Sequence, residues 1–150
     1  MDPIARLRIV CKVLAACVLA YGIAGWLLIE GFQLRPFGKV PEALPLSMTF
    51  LAAVLILLAS RLRTAILRSG LPSNRMIPTD MGSLLSAYQR ATLVSFAVLE
   101  IAALMGLLVA LLSGSAFYGV VLCVASFLSM LLRWPKANEL DRLARGRVSP

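Results

Sequence analysis

Residues 91–112 read ATLVSFAVLEIAALMGLLVALL, 22 positions with no basic residue and a single acidic one, Glu100, near the middle. A helix rises about 1.5 Å per residue, so the stretch covers about 33 Å, enough to cross the hydrocarbon core of a bilayer. Glu100 falls at its centre, where an unpaired charge costs about 2.5–3.5 kcal/mol on insertion scales. A carboxyl kept there either takes part in function or bonds a neighbouring helix.

Composition extends this reading to the whole chain. Of the 150 residues, 60% are hydrophobic and 15% charged, and the mean hydropathy is +0.89. Those values exclude an ordinary soluble domain. Apolar stretches recur at 13–29, 46–62, 91–112 and 116–132. They predict an all-α polytopic membrane protein: a single integral domain, 1–150, of four transmembrane helices in two helical hairpins. The second stretch is the shortest in apolar residues, and a re-entrant segment is its alternative. Arg61 and Arg63 at its end can carry their charges to the interface on long stems, which lets the helix reach across.

Charge placement predicts orientation. Three basic residues precede the first span, two (Arg35 and Lys39) lie in the first loop, five (Arg61 at the end of the second span, then Arg63, Arg68, Arg75 and Arg90) at the second loop and five in the tail. With four spans, all but Arg35 and Lys39 share one side, which the positive-inside rule makes cytoplasmic. Both termini, the loop 63–90 and the tail 133–150 are therefore expected inside. Arg61, Arg63, Arg90, Arg142 and Arg145 are expected to meet anionic lipid head groups, at about 1 kcal/mol each. The net charge of +8 then needs no nucleic-acid partner. Arginine-rich inner loops and short connections suit a bacterial inner membrane. The basic start before an apolar run resembles a secretion signal, but three further spans and the lack of a small-x-small cleavage site favour a retained anchor.

The connections are punctuated. Pro36, Gly38, Pro41 and Pro45, with Phe32 and Phe37, make the first loop a short turn on the interface. Gly70 and Pro72 break the second helix, and Pro78-Thr79-Asp80 offers a new start. Nothing interrupts the pattern from there to Ser113-Gly114, so the third helix is expected to reach about 50 Å, beginning outside the bilayer. After Trp134-Pro135, residues 138–145 read either as a short basic amphipathic helix or as a frayed tail.

Few catalytic chemistries remain. The chain has no histidine, which removes His-based acid–base catalysis and the usual zinc sites. Cys11, Cys17 and Cys123 form no CxxC pair and suggest no disulfide framework. No nucleotide loop or convergent acid–base pair is visible. A non-enzymatic protein without metal or cofactor is the expectation.

Small residues recur every four positions in two spans, Ala16, Ala20 and Ala24 in the first and Ala102, Gly106 and Ala110 in the third. Such stripes let helix backbones approach closely, within one chain or between chains. The helical neighbours of Glu100, among them Phe96, Ala97, Ala103, Leu104 and Leu107, bring no counter-charge. Its partner must come from another element: a hydroxyl of Ser47, Thr49, Ser126 or Ser129, the Tyr21 phenol, a water-filled crevice, or a basic residue of another subunit. In hydrocarbon the neutral acid is favoured over the carboxylate, the state a proton carrier requires.

Glu100 is followed six residues on by Gly106-Leu107 and then by Val109-Ala110-Leu111. In this, 90–112 resembles the carboxylate helix of the proteolipid c subunits of rotary ATP synthases. The resemblance implies that Glu100 carries a proton or sodium ion. It does not extend to their glycine-rich first helix, since 41–60 contains no glycine, nor to their short polar loop. Three functions follow as expectations. The first is an oligomeric, proteolipid-like protein handling protons or cations at Glu100. The second is an accessory or scaffold subunit of a larger membrane complex, with Glu100 in a structural helix contact. The third is a small proton-coupled exporter, which ranks lower because such exporters place the carboxylate in their first helix.

Overall fold

The computed structural model describes residues 3–32, 41, 43–69, 81–136 and 139. They form helices α1 (Pro3–Trp26), α2 (Ala43–Ser69), α3 (Met81–Ser113) and α4 (Ala116–Leu132), with no strand among the described residues. The last turn of α1 widens over Leu27–Gly31, where Phe32 N–H donates to Leu27 O five residues back at 3.0 Å. Three helices, Pro3–Gly31, Ala43–Ser69 and Gly82–Ser113, are long and apolar enough to cross a membrane, whereas Ala116–Leu132 is shorter. At 17 residues, α4 covers about 25 Å, somewhat less than a hydrocarbon core.

The second stretch is a continuous helix of 27 residues. Residues 63–69, expected in the inner loop, are helical, and α3 begins at Met81, just after Pro78-Thr79-Asp80, so the end of α2 and the start of α3 extend the bundle past the apolar runs. The turns at 33–40 and 70–80, and the tail from 140, lie outside the described residues. So do Arg142, Arg145 and most of the amphipathic tail segment.

Helix α3 packs against each of the other three. Its buried positions, Leu84, Tyr88, Ala91, Thr92, Ser95, Phe96, Leu99, Ala102, Ala103, Gly106, Val109 and Ala110, fall into adjacent rows spaced three and four residues apart. They form one continuous stripe along about 40 Å of helix. Large residues such as Val94, Ile101, Leu104 and Leu108 point outward, as lipid-facing side chains do. α2 buries only Ala52 and Ala59, two methyls seven residues apart that let it lie close to α3.

Near the hairpin that joins them, α3 and α4 approach backbone to backbone. A Cβ on Gly119 would lie 2.7 Å from Ala110 Cβ and 2.8 Å from Gly106 O, and one on Gly106 would lie 2.9 Å from Leu122 Cβ. Only glycine fits either position without moving a helix. The hairpin that brings them together turns at Gly114, whose φ of 66° is the left-handed region open to glycine.

Contacts fix an up-down-up-down topology. Tyr21 meets Glu100 and Gly25 faces Leu107 and Ala110, so α1 and α3 run parallel. Arg8 near the start of α1 reaches Pro135 beyond the end of α4, so α4 runs opposite to α1. Arg63 near the end of α2 and Tyr88 near the start of α3 meet at the same end.

Candidate functional site

Glu100 sits at the edge of the buried stripe of α3. Phe96, Leu99 and Ala103 on one side of it are buried, Ala97, Ile101 and Leu104 on the other are exposed, and Glu100 itself is half-buried. That edge is where α1 passes. Tyr21, half-buried on α1 and packed partly against the core, donates its hydroxyl to Glu100 Oε1 at 3.1 Å. Of the partners the sequence left open, the structure brings the phenol to the carboxyl. Ser47 and Thr49 instead donate to backbone carbonyls one turn back on their own helix. Ser126 is buried with its hydroxyl unpartnered.

The pair is a neutral donor on a carboxyl. Among the described residues Glu100 makes no salt bridge. A phenol can bond a carboxylate as donor and a neutral carboxylic acid as donor or acceptor. Cys17, one turn before Tyr21 on α1, is a free, half-buried thiol, while Cys11 and Cys123 are free and buried.

The small-residue stripes fall differently in the two spans. Ala102 is buried with Ala52 and Leu122, Ala110 with Ile29 and Ala116, and Gly106 against Gly119 and Leu122. On α1, Ala16 and Ala20 are exposed and Ala24 is half-buried. The face that α1 turns inward carries Leu7, Cys11, Ala15, Val18 and Gly25.

The head-group arginines also separate. Arg61 and Arg90 are exposed. Arg63 is not: its side chain is 13% exposed and its Nη2 bonds Glu139 Oε2 at 2.9 Å, with its Cζ 5.8 Å from the centroid of the Tyr88 ring. Tyr88, buried in the core, donates its hydroxyl to the same Glu139 oxygen at 2.9 Å. Phe96 and Trp134 stack edge to face beneath, with ring centroids 6.4 Å apart. Arg8 Nε reaches Pro135 O at 3.4 Å. Burial, and secondarily the charge of Arg63, lower the basicity of Arg133 beside this cluster. Sequence reasoning missed the cluster because Glu139 lies 76 residues from Arg63, and an arginine at a helix end reads as lipid-facing.

Among the described residues no three His, Cys, Asp or Glu side chains come together. No protein-family model, curated protein or solved structure matches the chain.

Proposed function

We propose that the chain is a small, non-enzymatic integral membrane protein of four spans that binds a proton or cation at Glu100. The observation that carries this reading is the pairing of an intramembrane carboxyl with a phenol at the edge of the bundle, without a salt bridge among the described residues. A carboxyl locked to a cation would hold its charge permanently, whereas this one can be neutralised and recharged with only a hydroxyl to reorient. Its position beside lipid-facing Ala97, Ile101 and Leu104 leaves it reachable from the membrane, as in a proteolipid-like carrier. The exposed Ala16 and Ala20 stripe on α1 is the face we assign to contact with a second copy. The orientation is N-in and C-in in a bacterial inner membrane, from the distribution of arginine and lysine.

Proton flux tests the reading. Vesicles containing the purified protein are expected to dissipate a pH gradient, and Glu100→Gln is expected to abolish that flux while leaving the fold intact. Gradients that decay equally with both proteins would sink it. A second reading, an accessory subunit in a larger complex, is favoured by one observation. The Tyr21–Glu100 bond ties α1 to α3 across 79 residues of sequence, as a purely structural contact would. It predicts no flux from the isolated protein and co-purification with other subunits.

A further inference from the structure

The basic end of the bundle carries a second polar site, independent of Glu100. Arg8, Arg63 and Arg133 reach it from α1, the end of α2 and the residue after α4. Two of their guanidinium nitrogens, Arg63 Nε and Arg133 Nη1, are buried without any hydrogen-bond partner. Arginine does not shed its proton, so such groups cannot be relieved by neutralisation and require an acceptor. The carboxylates among the described residues do not supply it. Glu30 lies at the far end of α1, Glu100 is at mid-span, and Glu139, whose Oε2 accepts from Arg63 Nη2 and Tyr88, bonds neither of the two nitrogens.

An acceptor that serves two guanidinium groups at once needs several oxygens and a negative charge, the chemistry of a phosphate. The location fits. Trp134, partly exposed and adjacent to Arg133 in the chain, is an aromatic residue of the kind that marks the membrane interface, the level of lipid phosphates. We propose that Arg63 and Arg133, with Arg8 beside them, bind the phosphate of an anionic ligand at this end of the bundle. A lipid head group or a free phosphate ion can supply that group.

The test uses the full-length protein in detergent, titrated separately with phosphatidylglycerol, diacylglycerol and inorganic phosphate. Bound ligand is counted by native mass spectrometry and melting is followed in parallel. Phosphatidylglycerol binding that exceeds diacylglycerol binding and weakens about tenfold or more in Arg133→Gln identifies a lipid phosphate. Binding of inorganic phosphate with the same dependence on Arg133, and no added gain from the lipid, identifies a free ion. Either supports the site. Arg133→Lys, which keeps the charge but loses the planar fork, is expected to fall between wild type and Arg133→Gln. Arg61→Gln, at an exposed position, is expected to bind as wild type. Arg133→Gln breaks no bond among those described for its guanidinium, so it is expected to melt as wild type without ligand. Absence of binding by all probes, or binding unchanged in Arg133→Gln, would overturn the proposal.

Discussion

At the scale of single residues, the Tyr21–Glu100 bond is a weak tie between two strongly apolar helices. Interhelical hydrogen bonds in membranes contribute about 0.6 kcal/mol on average, so Tyr21→Phe is expected to leave the fold standing. Its effect is chemical instead. With Oε1 no longer covered, labelling of Glu100 by a hydrophobic carbodiimide should speed up by about threefold, the factor corresponding to that bond. An unchanged rate would mean that the phenol does not shield the carboxyl in lipid. Glu139 presents the opposite case, one carboxylate serving Arg63 and Tyr88. Its side chain is 40% exposed, so water compensates part of its loss. Glu139→Gln should lower stability in detergent by about 1–2 kcal/mol, measured by reversible unfolding.

At the scale of elements, the sequence announced the helices but not all of their faces. Uninterrupted apolar runs and the breakers at Gly70 and Gly114 locate α1 to α4, but the helices run past the apolar stretches, α1 starting at Pro3, α2 ending at Ser69 and α3 starting at Met81. Periodic hydrophobicity cannot show which side of a membrane helix is buried, because lipid is as apolar as a protein core; size is the remaining signal. It distinguishes the inner face of α3, where Ala102, Gly106 and Ala110 lie beneath outward Ile101, Leu104 and Leu108. On α1, small residues occur on both sides, Ala16 and Ala20 outward and Ala15 and Gly25 inward, and spacing alone does not separate them. Substitutions should. Gly119→Leu forces its side chain into Ala110 and the Gly106 carbonyl, an overpacking expected to cost about 1–3 kcal/mol or more in thermal unfolding. Gly31→Ala, whose nearest neighbour would be Leu27 Cδ2 at 3.8 Å, should be nearly neutral. Ala20→Leu should leave melting unchanged, and a shift in oligomeric state would place a second copy on that face.

At the scale of the whole molecule, long-range pairings are the part that single-sequence reading narrows without deciding: the Tyr21 phenol is one of several partners open to Glu100, and the Arg63–Glu139 pair is not foreseen. Tyr21 and Glu100 are 79 positions apart, and Arg8 and Pro135 are 127 apart. The alternating directions of four helices bring these partners to common levels, which no local pattern encodes. The same topology puts the start of α1, the end of α2, the start of α3 and the segment after α4 at one end. Most of the arginine and lysine flanks that end, so the assigned orientation makes a single prediction for the molecule. A cysteine placed at the exposed Lys136, in a background lacking Cys11, Cys17 and Cys123, should react with an impermeant maleimide only from the cytoplasmic side. Reaction from the opposite side would invert the protein.

Glu100 is proposed to take up a proton within the membrane and to be open to lipid. Carbodiimide labelling of the purified protein in lipid across a range of pH, mapped by peptide mass and compared with Glu100→Gln, tests it most directly. Selective modification at Glu100 near neutral pH, and none at that peptide in the variant, is the expected result. No modification of wild type would mean a carboxylate permanently charged or sealed between helices, and would contradict the claim.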